Sequence, residues 1–457
     1  MWRILALWLT LCLALQTPAA AQTFAEDFDR LLKSGRIDAA EQAAADRLDT
    51  VPGDAQAQFA LGAAQFLGAV EGLGRGLYRL GLIAEPADDS LIAQLPILRL
   101  PVPPNSHPQP MTPEALRAIL LDFGSELARA EKTLAAVPPG PVELPIEAGE
   151  IRLDFAGTGS PATMRTFSTL WAGISGLEPE DLGSIRFDEG DVPWLRGYAH
   201  LLEAVTDLVL AHDFDRSVDL TFQDLFPSSS LASAPLREAA QQQRLIVAAI
   251  GADCEMPEWY YDRVYGTGSG DFTPEEKERI ESAWACQSAM TALWSASVGD
   301  LVAFAHLLDW PVVEPARMVS ARQHLLDMIA LSRQSWALVL AETDDDREWL
   351  PSPRQIGPFS NMRVTDQTLA AWNDFLDEAE AVLNGTLLIP HWRFPSDQGL
   401  NIRRMFEEPR RFDLVLLLTG SGAIPYIEKG ALAPDSTMEG AVRVLDGGPL
   451  AYFFWFN

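Results

Sequence analysis

One pattern of histidine and acid recurs along the chain: His200-Leu201-Leu202-Glu203, His306-Leu307-Leu308-Asp309 and His324-Leu325-Leu326-Asp327. Residues three apart on an α-helix share a face, their Cβ atoms about 5–6 Å apart. Each copy could therefore turn an imidazole nitrogen and a carboxylate oxygen toward one divalent ion, a ligand pair that zinc and its neighbours accept. Asp207 extends the first face by a turn, and Asp213 follows His212. Three such helices packed together would form a site of the kind built between the helices of a bundle. The plainer reading is a local His–carboxylate contact on each of three helices whose leucines face the core. Nothing in the sequence shows that the three faces meet.

Other polar clusters are less complete. Asp154-Phe155-Ala156-Gly157-Thr158-Gly159 resembles the opening of an EF-hand calcium loop, with Asp and Gly at the first and sixth positions. Ala156 and Thr158 stand where acids are needed, and Arg165 takes the twelfth place of the bidentate acid, so the pattern predicts a degenerate loop around Asp154 and Thr158. Asp344-Asp345-Asp346, flanked by Glu342 and Glu348, reads as a solvated acidic loop that could attract a divalent ion. Gly266-Thr267-Gly268-Ser269-Gly270 lacks the Lys-Ser/Thr ending of a phosphate loop. Gly420-Ser421-Gly422 misses the spacing of a nucleophile elbow, and no C-x-x-C-H is present for haem. No catalytic residue is assigned and no cofactor is evident beyond a divalent metal.

Compartment and charge narrow the field. Arg3, the apolar run from Ile4 to Leu15 and Ala19-Ala20-Ala21 have the order of a secretory signal, with cleavage after Ala21. Cys12 follows the bulky Leu11, which is wrong for lipoprotein processing. The expectation is a bacterial periplasmic or secreted protein with no later membrane span. Cleavage leaves Cys254 and Cys286, read as one disulfide in an oxidising space, with two buried free thiols as the alternative. The 64 acidic against 34 basic residues give a net charge of −30. Nucleic acid and anionic lipid would be repelled, whereas a basic protein partner or divalent ions would not.

The elements that must position these residues are mostly helical. A helix opened by Gly35-Arg36-Ile37-Asp38-Ala39-Ala40 and running through Leu48, and a second from Ala55 to about Val70, form a pair around Pro52-Gly53-Asp54, in which Gly35, Ala40, Pro52, Ala57, Leu61 and Gly62 resemble the small and packing positions of a tetratricopeptide repeat. That resemblance implies a groove-forming helical module. A third helix starts at Thr112-Pro113 and ends near Val137, and Pro138 to Pro141 marks the likeliest domain boundary by its punctuation. Further helices are predicted over Pro161–Ile174, Val192–His212, Leu236–Ala252, Thr273–Ser297, Val298–Asp309, Ala316–Glu342 and Asp366–Leu383. Leu387 to Ile389, Phe412 to Leu418 and Ala451 to Phe456 are short apolar runs that suit a small sheet or a packed tail, and the aromatic terminus must be buried or bound.

The fold class is thus mainly α: a tetratricopeptide-like helix pair, an irregular multi-helical body and a small extended C-terminal segment. The divisions are 1–21 signal, 22–137 N-terminal helical region, 138–385 central domain and 386–457 C-terminal mixed segment. Trp194-Leu195-Arg196-Gly197-Tyr198-Ala199-His200-Leu201-Leu202 and the closing Phe454-Trp455-Phe456-Asn457 are similar to a family of exported bacterial proteins that brings no activity with it. With no catalytic signature, the first expectation is a periplasmic interaction or scaffolding module. The alternative is a metal-dependent enzyme or ion-binding protein using the His-Leu-Leu-acid helices. A sugar- or peptidoglycan-binding surface built from the 13 tryptophans ranks last.

Overall fold

The computed structural model describes residues 17–84, 100–175, 182–222, 225–226, 256–265, 272–344, 347–359, 363–434 and 455–456. The chain is mainly helical. Helices α1 (Thr17–Lys33), α2 (Ile37–Thr50), α3 (Ala55–Leu80) and α4 (Pro113–Ala135) come first. Short elements follow: β1 (Leu144–Ile146), β2 (Arg152–Leu153), β3 (Arg165–Thr166), α5 (Phe167–Ser175) and β4 (Ile185–Phe187). Then come α6 (Asp191–Leu210), α7 (Asp215–Thr221), α8 (Glu258–Tyr265), α9 (Pro274–Leu307), β5 (Asp309–Pro311) and α10 (Pro315–Val339). The last are α11 (Asp366–Leu383), β6 (Ile389–Pro390), β7 (Gln398–Leu400), α12 (Ile402–Glu407), β8 (Arg411–Asp413), α13 (Leu414–Leu418) and β9 (Ile427–Lys429).

Side-chain caps fix several helix starts, because the first amides of a helix have no partner within it. Asp54 accepts from the Ala57 amide, and Thr112 accepts from Ala115 with Pro113 at the first helical position. Thr273 and Glu276 cap each other reciprocally, as the sequence predicts. The helix they open runs unbroken to Leu307, where the sequence suggests two. Leu236–Ala252 lies outside the described residues.

Helices α2, α3, α4, α6 and α10 pack in succession, each against the next. Small residues set the spacing of α3 and α4: a Cβ on Gly62 would meet Leu134 at 2.5 Å, and one on Gly76 would meet Ile119 at 2.8 Å. The position that matters most is that of α6, held between α4 on one side and α10 on the other. A helix in that place has two packed faces and must satisfy any polar group it carries from its neighbours.

The first apolar core runs from Ala25 through Leu134, Val142 and Leu144 to Phe226, without a break at Pro138–Pro141. The segment after that punctuation folds back onto the N-terminal helices. Its β1 pairs with β4 antiparallel, and the Glu147 amide donates to Asp29 at 2.9 Å. A second core, built on Trp171, Trp336, Trp349 and Trp372, takes in the C-terminal Trp455 and Phe456, both fully buried. Trp455 donates its indole N–H to the Trp349 carbonyl at 2.8 Å, and its own carbonyl accepts from Trp194 at 2.9 Å. The C-terminal region does hold a small antiparallel sheet, in the order β6-β7-β9. Leu414–Leu418, an apolar run open to a β reading, is instead a short helix capped by Asp413. Among the described residues no helix is long and apolar enough to cross a membrane.

Candidate metal centre

Arg196, His200, Glu203 and Asp207 fall at i, i+4, i+7 and i+11 on α6, so they form one polar stripe along a helix. That stripe faces the seam between α4 and α10. From α4 comes Glu131, and from α10 come Arg317 and His324, two turns apart on a common face. Ala199 and Ala321, both fully buried, flank the seam.

Three atoms converge at its centre. His200 Nδ1 lies 2.8 Å from His324 Nδ1, and Glu203 Oε2 lies 3.4 Å from the first and 3.5 Å from the second. A triangle with those edges has a circumscribed radius of about 1.9 Å, so a point roughly 2.1 Å from all three atoms sits just off its plane, at the bond length zinc makes to imidazole and carboxylate. The short edge is an imidazole–imidazole hydrogen bond, one Nδ1 donating and the other accepting.

The outer nitrogens are also provided for. His200 Nε2 faces Glu131 Oε1 at 3.5 Å, and His324 Nε2 faces Asp207 Oδ2 at 3.9 Å. Those carboxylates are held in turn: Arg196 donates to Glu131 at 2.8 Å, and Arg317 to Asp207 at 2.6 Å. Each imidazole thus turns one nitrogen inward and the other toward a carboxylate, the outer arrangement that orients metal-bound histidines.

The electrostatics single out Glu203. Burial pushes its carboxyl up to about 7, with the nearby Glu131 and Asp207 charges adding and His200 opposing. Its Oε2, the atom at the centre, is buried and accepts no hydrogen bond from the described residues. Glu131 is in the opposite situation: its contact with His200, then that with Arg196, holds it down at about 2. Burial lowers His324, and His200 beside it adds to the effect. A cavity of about 330 Å³ opens beside the triangle, lined by Glu203, His324, Asp207, Arg317, Thr206 and Ser125 among others.

The remaining sequence candidates lie elsewhere. His306 is exposed near the end of α9, and Asp309 is on β5, tied to Arg411 across the β5–β8 pair. Asp327 accepts from Gln323 on its own helix at 2.9 Å, away from the triangle. So one His-Leu-Leu-acid copy supplies both its residues, a second supplies only its histidine and the third supplies nothing. Asp154 and Thr158 form a turn whose acid is spent on the backbone. Asp154 accepts from the Thr158 and Gly159 amides at 3.3 and 2.7 Å, and Gly157 and Gly159 take the positive φ values of 66° and 68° that the turn needs. Cys286 is fully buried on α9, and Cys254 lies outside the described residues.

A second, larger cavity of about 370 Å³ on another side of α6 is mostly apolar, with Trp310, Phe406 and Phe412 in its wall. Its one imidazole, His212, bonds the Leu208 carbonyl at 2.7 Å, and burial lowers its pKa. Sequence reasoning missed Glu131, Arg196 and Arg317. The two arginines were readable as continuations of the His200 and His324 faces at i−4 and i−7; Glu131 carries no local sign of its role. No family model matches this chain, and no curated protein or solved structure matches it significantly.

Proposed function

We propose that this is an exported protein that binds a divalent transition-metal ion of the zinc class through His200, Glu203 and His324. The observation that carries this reading is the triangle of His200 Nδ1, His324 Nδ1 and Glu203 Oε2, with edges of 2.8, 3.4 and 3.5 Å. Two nitrogens and one oxygen suit zinc, whereas calcium and magnesium prefer oxygen alone. A set of three protein ligands leaves one tetrahedral position for water or substrate, as in catalytic rather than structural zinc sites. The adjoining cavity, with Thr206, Asp207 and Arg317 in its wall, gives that position somewhere to open. A metal-dependent enzyme is accordingly the class this reading favours.

The sequence ranks an interaction module with a tetratricopeptide-like helix pair first; the convergence of His200, Glu203 and His324 reverses that order. Export by the 1–21 signal and a Cys254–Cys286 disulfide belong to the same proposal, since an oxidising space suits both. The test is metal analysis of protein purified from cells without chelator, with zinc titration of the stripped protein. About one ion per chain in the wild type, lost in His200→Ala and His324→Ala, supports the site. A wild type that carries no metal and gives no zinc isotherm ends the reading, and a reproducible partner from periplasmic extract would then restore the interaction module.

A further inference from the structure

Beyond the imidazole site, the α6–α10 pair holds a second cluster of a different chemistry. The turn after β4 brings Asp188, and the segment after α10 brings Glu342 and Glu348, until a carboxylate oxygen of each lies within 4.8 Å of the others. The sequence reading of a solvated acidic loop does not hold for Glu348, while Glu342 is half-buried. Glu348 is 2 % exposed and Asp188 6 %. Asp345 and Asp346 lie outside the described residues.

The hydrogen bonds around the cluster leave it incomplete. Asp188 Oδ1 accepts from the Gly190 amide at 2.7 Å, and Glu342 Oε2 accepts from Gln355 Nε2 at 3.1 Å. Glu348 Oε1 is buried and has no donor among the described residues. The neighbouring charges are mostly of the same sign. Asp191 is buried beside Asp188 and accepts its amide at 2.9 Å, while Asp344 binds Arg186 at 3.1 Å. The Arg186 charge acts on Asp188 and Glu348 in the opposite sense, but its ion pairs are with Asp344 at 3.1 Å and Glu143 at 3.8 Å. Carboxylates so close together and so poorly solvated cannot all be charged without a cation among them. Burial accordingly lifts Glu342 to about 7 and Glu348 to about 8.

We infer that Asp188, Glu342 and Glu348 form a binding site for a hard divalent cation of the calcium class, separate from the imidazole site. The donors are oxygen alone, with no imidazole or thiolate among them, which selects calcium, magnesium or manganese over zinc. Backbone carbonyls of the two turns are of the right kind to fill a larger coordination number. Asp191, the neighbour of Asp188 at the start of α6, and His200 are nine residues apart, a rise of roughly 13 Å along the helix between the two clusters. The consequence is structural. Glu348 precedes Trp349, on which the second aromatic core and the C-terminal Trp455 close. An ion here would tie the start of α6, the end of α10 and that core together.

The test is calcium chloride titration of the chelator-stripped protein by calorimetry, with thermal unfolding alongside. We expect calcium to bind and raise the unfolding temperature. Glu348→Gln and Glu342→Gln should each weaken calcium binding at least tenfold, while His200→Ala leaves it unchanged. Glutamine keeps the shape and removes a buried charge, so both variants should fold in chelator. Calcium heat or stabilisation that survives in both variants, or is lost in His200→Ala, overturns the site. So does a wild type indifferent to calcium, magnesium and manganese. None of these outcomes bears on zinc binding at His200 and His324.

Discussion

Replacing Glu203 by glutamine should stabilise the protein above neutral pH without metal and forfeit that gain when zinc is bound. Without metal, the folded protein holds this carboxyl at about 7, against 4.5 in the unfolded chain, chiefly because it is buried. Below pH 4.5 both states are protonated and the residue contributes no pH dependence. As pH rises from 4.5 to 7 the unfolded chain releases its proton first, so folding loses stability, and above 7 the full penalty applies. A shift of that size is worth about 3 kcal/mol. In chelator, Glu203→Gln should therefore match the wild type near pH 4.5 and exceed it by up to about 3 kcal/mol at pH 8. With zinc that advantage at pH 8 is cancelled. Zinc at a thousand times its Kd stabilises the wild type by about 4 kcal/mol. Losing one of three ligands should weaken binding at least a hundredfold, which removes about 3 kcal/mol of that gain. Thermal or urea unfolding of both proteins at pH 5 and 8, in EDTA and in zinc sulfate, reads all four conditions. A variant less stable than wild type in EDTA at pH 8, or one that gains as much from zinc, would refute the reasoning.

Other expectations follow from single contacts. Glu131→Gln should cost about 10- to 100-fold in zinc affinity, because Glu131 orients His200 from outside the triangle; calorimetric titration reads it, and an unchanged Kd counts against the outer arrangement. A chain ending at Phe454 loses two fully buried aromatic residues. At about 3–5 kcal/mol each that approaches the whole stability of a typical domain, so near-ultraviolet dichroism should show no cooperative unfolding. Glu71 is buried and its pKa raised, first by burial and against the Asp154 amide and Arg75 that favour its charge. Glu71→Gln should therefore gain on the wild type as pH climbs above 4.5, and denaturant midpoints across pH 4 to 8 should diverge in that sense. Cys254 and Cys286 should show no free thiol in unfolded, unreduced protein. Reduction should cost about 3 kcal/mol for a loop of roughly 32 residues.

What the sequence showed and what it hid divides along a physical line. Thr112-Pro113, Thr273-Pro274-Glu275-Glu276 and Asn384-Gly385 mark helix ends through interactions within four residues, and the helices end there. The His-Leu-Leu-acid spacing likewise puts His200 and Glu203 on one face from local geometry alone. Whether His324 and not His306 would join them depends on which helices pack, and that depends on the summed complementarity of whole faces. Glu131, on a helix 69 residues before His200, could be found only once α4 was seen against α6. Glu348 misled for a related reason. A run of acids reads as solvated, and only burial of the adjacent Trp349 draws Glu348 inward.

The position of α6 makes these polar groups hard to explain as packing alone. A helix held between two others is most easily built with apolar residues on both packed faces, and α6 does carry Leu195, Ala199, Ala204 and Leu210. Yet this helix and the turn that leads into it present two arrays of ionisable groups to their neighbours, one at His200 and Glu203 in the helix body and one at Asp188 in the turn, beside Asp191 at the helix start. In each array, one carboxylate oxygen is buried without a donor among the described residues: Glu203 Oε2 and Glu348 Oε1. A carboxylate kept in that state costs stability, and substitution by apolar residues of similar volume would usually relieve it. A cation at each array removes the penalty and turns the same residues into a source of stability. The two arrays differ in donor chemistry, nitrogen with oxygen in one and oxygen alone in the other, and so should sort zinc from calcium along a single helix pair.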